Sequence, residues 1–453
     1  MILLVTSLGV FIAQLDSQVV NLALKHIGGD FNAGVTALQW VMDAYNLLYA
    51  TLLLSGGTLG DLYGRMRFYL IGIGLIAGGS VVCAIAPNIG LLIAGRAITG
   101  VGAALDVPIS LAILTIAYRD PRERSFAIGI WASCNGIAIA LGPTVGGLLV
   151  DLTGWRSIFA LVVPLCLLAM ALAWRCVPDT SDPDSRTLDP AGQSLAIVAL
   201  GALAFIAIEG PHAGLTSPIV IVLGAALVVS GAAFFAIEHR TKGAMVPLAL
   251  FADRQFNAAL VAAGTMTFGM YAMMFLTPLY LQDFGHASAF RVGLEMLPMS
   301  VSFIIVSQAA GRLGGMFGAR GVMTAGLGCM GGGLLLLTNV TAIPDLRLVE
   351  AALLIIGIGL GLNTAPVNAV AVAAVPRHRA GTASGLVNTL RMIGATLGIA
   401  MLGAIYAVYA QSESSEHTIV GLRLAYLGGA AVELSGAVVA FLFVGADALD
   451  RKT

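Results

Sequence analysis

Arg96 and Asp106 stand in the run GRAITGVGAALDVPISLAIL, residues 95–114, which is otherwise almost wholly apolar. If the run is a membrane helix, ten positions put the two charges about 15 Å apart along the axis and roughly 80° apart around it. They cannot pair with each other. A charge at that depth is costly, so each needs a partner or a use. Asp16 in LDSQVVNLAL (15–24), Asp43 in QWVMDAYNL (39–47) and Arg391 in AGTASGLVNTLRMIGATLG (380–398) pose the same question. Counted from the nearer ends of their runs, Asp16, Asp43 and Arg96 all lie roughly 9–12 Å deep. Arg96 is therefore expected to pair with Asp16, Asp43 or both. Asp106 is deeper, two residues before Pro108, which frees a carbonyl and loosens the helix. A carboxyl at mid-membrane without a fixed partner suits proton exchange near neutral pH; a structural hydrogen-bonding aspartate is the plainer use. Arg391 would attract an anionic group or a carboxylate, and Glu433 reads as peripheral.

Helices long enough to cross a bilayer must position these groups. Of the 453 residues, 58% are hydrophobic and 10% charged, and the mean hydropathy is +0.94. Soluble domains carry about 25% charged residues. The fold class is an all-α integral membrane protein. A net charge of −1 argues against nucleic acid as a partner. Cys83, Cys134, Cys166, Cys176 and Cys329 match no metal spacing and read as small core residues. MILLVTSLGVFIAQLDSQVV has no basic leader segment and reads as a retained first span. Fourteen transmembrane helices are expected, at about 2–24, 37–60, 68–86, 89–118, 125–150, 155–174, 191–209, 218–238, 256–282, 290–310, 321–340, 347–375, 381–409 and 420–446. With both termini cytoplasmic, inner loops hold about 16 basic residues, among them Arg65, Arg67, Arg186, Lys242, Arg377, Arg451 and Lys452. Outer loops then hold about 5: Lys25, Arg156, Arg291, Arg347 and Arg423. The bias favours that orientation in a cell (plasma or inner) membrane.

An internal repeat organises the spans. GTLGDLYGRMR from Gly57 is similar to GRLGGMFGARG from Gly311, with Gly57, Leu59, Gly60 and Gly64 matching Gly311, Leu313, Gly314 and Gly318. Gly129 and Gly142 match Gly385 and Gly398, and Pro108 matches Pro366. Each match is weak in a chain with 56 glycines, but all fall in one order at nearly one offset, about 256 residues. Two pseudo-symmetric six-helix bundles are expected, 1–175 and 256–453, with two inserted helices at 191–238. The Pro- and Asp-rich RCVPDTSDPDSRTLDP makes 176–190 a cytoplasmic linker, and 239–255 is a second, with an amphipathic helix expected in EHRTKGAMVPLALFADRQF.

GTLGDLYGRMR resembles the loop 2–3 signature of the major facilitator superfamily through Gly57, Leu59, Asp61, Gly64 and Arg65. Its glycines let helix ends approach, while Asp61 can accept bonds from loop arginines or a helix N-terminus, making a conformational latch. GPTVGG, residues 142–147, preceded by Gly136, resembles that superfamily's span-5 antiporter motif, here Gly136, Gly142, Pro143, Gly146 and Gly147. Small residues and a proline bend suit a sealed rocking interface. The segments around Asp16, Asp43, Arg96 and Arg391 resemble the 14-span drug:proton antiporters, nearly along the whole chain. Lys25 and Gln18 depart from that family, which has proline and threonine there, and Leu62 replaces the usual basic residue after the latch aspartate.

The three lysines, Lys25, Lys242 and Lys452, close no phosphate-binding GxxxxGK[ST] loop, and no HExxH or GxSxG motif is present. The six histidines fall in expected loops. Nucleotide-driven pumping and membrane-enzyme chemistry lose their usual residues, so no catalytic residue, metal ligand or cofactor is expected; the proton gradient is the energy source. The resemblance implies a monomeric multi-pass exporter of lipophilic small molecules, drugs or antibiotics, in exchange for protons. A charge network of Asp16, Asp43, Arg96, Asp106 and Arg391 would couple the two. A proton-coupled or facilitative carrier of one metabolite is the alternative. The Met- and aromatic-rich MTFGMYAMMFLTPLY (266–280) offers Met270, Tyr271, Met274 and Phe275 as an adaptable substrate surface.

Overall fold

The computed structural model describes residues 1–182, 189–214, 216–240, 246, 248–376, 379–410 and 414–445, without the side chains of Pro121 and His212. Arg186, Lys242, Arg377, Arg451 and Lys452 lie outside the described residues, as do parts of both expected linkers. All regular structure among the described residues is helical. In hydrocarbon a helix satisfies its own backbone, and here polar side chains finish the ends. Asn88, Asp120, Asp253 and Asp345 each accept backbone N–H bonds at the start of a helix.

The helices are α1 (Ile2–Phe31), α2 (Val35–Tyr63), α3 (Arg65–Ala84), α4 (Ile89–Ala117), α5 (Pro121–Thr153) and α6 (Arg156–Cys176), then α7 (Pro190–Ala213) and α8 (Pro218–Arg240). After a 3₁₀ turn at Leu248–Ala252 come α9 (Arg254–Asp283), α10 (Ala289–Glu295), α11 (Leu297–Leu337), α12 (Leu346–Ala373), α13 (Ala380–Ala410) and α14 (Ser415–Phe443). Among the described residues, twelve segments are long and apolar enough to cross a membrane; Ala289–Leu337 counts among them once, and α2 not at all. At 49 residues, Ala289–Leu337 would be about twice the length that a bilayer core needs. It breaks at Gly318, where φ is 73° and ψ 157°. The loop expected between 310 and 321 is helical apart from that break. The amphipathic helix expected in 238–256 appears, among the described residues, only as the last three residues of α8, the 3₁₀ turn and the first residues of α9. The histidines are not all in loops: His26, His212, His239 and His417 lie within helices.

By contact the helices sort into two sets. One joins α1 through α6, chiefly through α3–α4, α2–α4, α1–α5 and α3–α6. The other joins α9 through α14, chiefly through α11–α12, α9–α13 and α11–α14. Gly64 (φ 115°) and Gly318 (φ 73°) hold left-handed backbone at matching places in the two sets, where a side chain would be strained. Pro108 in α4 and Pro366 in α12 also correspond. The face carrying Met1 and Gly64 is called the near face, and the face carrying the α1–α2 turn the far face.

The sets meet at α2–α13, α1–α9 and α5–α10. Across the first seam lies α7, which contacts both α2 and α13. Gln193 donates to the Thr51 carbonyl at 2.7 Å and accepts from Ser55, and Trp40 donates to Glu209 at 2.9 Å. Against α13 the contact is apolar: Leu200 shares a cleft with Ile393 and Leu397. Polar bonds have a fixed geometry whereas apolar surfaces slide, so α7 should travel with α2. Disulfide trapping checks this. Cysteines at Thr51 and Gln193 should cross-link at every pH tested, while the Leu200–Ile393 pair should lose cross-linking in part of the range. The reverse pattern would attach α7 to α13.

Candidate functional site

Arg96 is completely enclosed. Its Nη1 donates to Asp16 Oδ2 of α1 at 2.6 Å, and its Nε to the Val41 carbonyl of α2 at 3.2 Å. The guanidinium carbon sits 4.6 Å from the centre of the Tyr45 ring, whose hydroxyl donates to the Ala13 carbonyl at 3.0 Å. One side chain thus ties α1, α2 and α4 together. Asp43 does not join it. At 100° per residue, Val41 and Tyr45 share a face of α2, and Asp43 points to the opposite side. Gln39, one turn before Asp43, shows where that side faces: it donates to the Ile399 and Ala400 carbonyls of α13. Asp43 is fully buried and joins no ion pair among the described residues; the polar side chain within its reach is Asn46 of its own helix.

Asp106 is also fully buried with both oxygens unpartnered. It faces α1 and α3: a Cβ at Gly9 would overlap its Oδ1 and come within 2.7 Å of the Tyr69 hydroxyl, which donates to the Val5 carbonyl at 2.8 Å. Its neighbours Val107 and Pro108 line a cavity of about 400 Å³ toward the near face. Asp61, Arg65, Trp131 and Asn388 line it too, so its walls come from both helix sets. Asp106 therefore sits behind the cavity wall.

At the cavity mouth Arg65 grips Asp61, with Nε and Nη2 at 2.8 and 2.7 Å from Oδ1. The chain after α6 fastens onto this turn: Arg65 N–H donates to the Thr180 carbonyl, Met66 N–H to Asp179, and Asp182 N–H to the Asp61 carbonyl. Gly381 and Ser384, from the first turns of α13, line the same cavity. Asp61 thus faces a helix N-terminus across the gap, where an anion is favoured.

The far face is shut, and the GPTVGG segment forms part of the seal. Gly142 and Gly146 lie on Gln18 and Val19 of α1. Gly147 leaves no room for a Cβ against the Ala289 carbonyl, and the Pro143 carbonyl lies against Gly293. Asp151 accepts from the Ala289 and Phe290 N–H groups at 3.1 and 2.9 Å. Gly136 meets Phe303 lower down. A polar strap completes the closure: Lys25 bonds the Gln282 carbonyl and pairs with Asp283 at 3.0 Å, and Gln282 donates to the Leu22 carbonyl. Sequence reasoning marked Lys25 as a departure from the family pattern but missed its partners, since no spacing rule links residue 25 to residue 283.

Arg391 lies in α13, apart from the Arg96 cluster. Its Nη2 donates to the Thr364 carbonyl of α12 at 2.9 Å, and Nη1 lies 3.5 Å from Asn388 Oδ1. Met270, Tyr271, Met274 and Phe275 are at most 5% exposed, and none lines the cavity described above. Tyr271 faces Gln14, Ser17 and Gln18 of α1, and the other three belong to the large apolar core. Glu433 is not peripheral. It is fully buried on α14 with both oxygens unpartnered, against Gly269 of α9. A lone carboxylate late in an apolar run gives no sign of which side of its helix is covered.

A family model described as Major Facilitator Superfamily matches residues 6–399. The chain belongs to the Major Facilitator Superfamily. Among curated relatives, multidrug resistance protein Stp of Mycobacterium tuberculosis is 40% identical over 92% of this chain and 77% of its own length. Methylenomycin A resistance protein of Bacillus subtilis is 34% identical over 98% of this chain and 94% of its own. The fold matches the crystal structure of a bacterial homologue of the human lysosomal transporter Spinster, in an inward-facing, unoccupied conformation. Its TM-score is 0.69 at 17% identity, covering 98% and 96% of the two chains. The superfamily assignment and the named relatives establish a multi-pass transporter akin to drug exporters.

The Arg96–Asp16 pair predicts strong coupling. Removing one partner of a buried pair costs about 3–5 kcal/mol, because the other is left bare. Arg96→Ala and Asp16→Asn together should therefore destabilise the protein by about 2–3 kcal/mol less than their summed single effects. Arg96→Ala with Asp43→Asn should be additive. Unfolding of the purified variants in detergent measures both; additivity for the first pair would dismiss the bond.

Proposed function

We propose that this transporter exports hydrophobic or amphipathic drugs or antibiotics in exchange for protons, by alternating access. The observation that carries the reading is the asymmetry of the seam between the helix sets. A small-residue seal and the Lys25 strap close the far face, while a cavity walled by both sets lies toward the near face. One closed end and one hollow end are half of a rocking cycle, and the names of the curated relatives supply the cargo class.

In this reading the chain crosses a cell membrane fourteen times, α2 and the two arms of α11 around Gly318 making up the number. Residues 1–175 and 256–453 are the rocking bundles, and 191–238 the inserted pair. Both termini are cytoplasmic, so the near face is the inner one and drug enters the cavity from the cytoplasm or inner leaflet. The Asp61–Arg65 turn is the inner latch. When the inner face closes, Asp61 approaches the α13 N-terminus opposite it. The protein works as a monomer, with the proton gradient as its energy source and no catalytic step.

Asp106 is assigned the proton. It has no counter-ion, shares the space over Gly9 with the Tyr69 hydroxyl, and is two residues from Pro108 in the cavity wall, so a shift of α4 changes its surroundings as the cavity changes. Asp16, by contrast, is committed to Arg96. Cells making the protein should accumulate less of a lipophilic drug than cells without it, and an uncoupler should abolish the difference. Asp106→Asn should remove that energised export while drug still binds, now less dependent on pH, and Asp106→Glu should keep part of it. If Asp106→Asn exports normally with normal pH dependence, Asp106 is structural.

A further inference from the structure

Arg391 is a cation in the middle of the membrane part without a carboxylate. Among the described residues the ion pairs are Lys25–Asp283, Arg65–Asp61, Arg67–Asp179, Arg96–Asp16, Arg156–Asp30 and Arg291–Glu295. The titratable groups within electrostatic reach of Arg391 are two phenols, Tyr271 of α9 and Tyr49 of α2. Its bond to the Thr364 carbonyl and its long contact with Asn388 are to neutral oxygens. Its Nε is enclosed with no acceptor at all. A guanidinium presents five N–H donors, and Nε together with one Nη forms the fork that a carboxylate or sulfonate fills. Retaining such a cation in hydrocarbon is costly unless something offsets it.

The surroundings show where that something would come from. Asn388 lies one turn before Arg391 and lines the cavity, so the guanidinium stands just behind the wall that Asn388 forms. Tyr49 and Tyr271 belong to opposite helix sets, so Arg391 stands at the seam between them. Trp131 lines the opposite wall, its indole N–H fixed to Ser110 at 3.1 Å, leaving the ring as an apolar surface. An apolar wall with one charge behind its Asn388 edge, reached when that side chain turns aside, matches an apolar body with one acidic group.

We propose that Arg391 is an anion-binding subsite, and that the transported compounds include amphipathic organic anions, an aromatic or aliphatic body bearing a carboxylate, sulfonate or similarly acidic group. The anionic group takes the Nε–Nη fork, and the body lies between Trp131 and α13. This rests on the exporter reading above and narrows its substrate class.

Two probes with one skeleton separate the two claims. 1-Anilinonaphthalene-8-sulfonate carries an anion, and N-phenyl-1-naphthylamine is its neutral counterpart. Binding to purified protein in lipid nanodiscs is followed by energy transfer from tryptophan. Arg391→Gln should weaken the sulfonate about tenfold or more, the loss expected for a charge-assisted pair, and change the neutral probe less than twofold. Arg391→Lys should fall between, keeping the charge and losing the fork. Unchanged neutral binding also reports that the variant is folded. If the sulfonate binds Arg391→Gln as well as wild type, or if both probes weaken together, Arg391 only ties α13 to α12 and the anion subsite is overturned. If wild type binds neither probe, the hydrophobic-exporter reading fails and the subsite with it.

Discussion

Arg96 cannot reach water, and much of the arrangement of the first helix set follows from that. Its charge must be met within the protein, and Asp16, the Val41 carbonyl and the face of Tyr45 meet it from two other helices. Because each contact comes from a different position, the pair fixes the rotation of α1 and α2 about their own axes as well as their distance from α4. Asp43 is thereby turned toward α13 and Asp106 toward α1 and α3. A buried ion pair is poor evidence of net stability, but it specifies register well. Here the register decides which carboxyls are left without an ion pair, and Asp106, the proposed proton site, is one of them.

A second constraint acts where the two helix sets touch. Lipid gives no hydrophobic drive for helices to associate, so contact depends on close fit and on polar bonds. The far seam uses both. Gly147 brings α5 against the Ala289 backbone, and Lys25 and Asp151 reach across to fasten α9 and α10. Lys25 and Asp283 are each more than a third exposed, so their pair is weak and reversible, as the proposed alternating access requires. The inserted α7 bridges the α2–α13 seam with its polar bonds to one side, which covers the seam without locking it.

Features that depend on local spacing were legible in the sequence. The repeat matched Gly64 with Gly318, and both adopt the left-handed backbone that only a glycine takes without strain. Pro108 and Pro366 fell in corresponding helices, and the shared depth of Asp16 and Arg96 anticipated their bond. Depth along a helix follows from residue counting, but rotation about it depends on which neighbours arrive. For that reason Asp43 was offered as an equal partner of Arg96, Glu433 was read as peripheral, and Met274 and Phe275 were placed at a cavity from which they are covered. The Lys25–Asp283 strap lay beyond any local pattern for the same reason.

Alternating access requires that opening at one face be tied to closing at the other. Distances between paired spin labels in a cysteine-free background test it most directly. Ile85 and Ile343, exposed at the far face, report one end, and Tyr63 and Met316, exposed near Gly64 and Gly318, report the other. Between about pH 5.5 and about pH 8.5, a range in which a proton-coupled carboxyl changes state, with and without drug, the far distance should lengthen whenever the near distance shortens. A far distance that stays fixed while the near one varies, or two distances that lengthen together, would contradict alternating access in this protein.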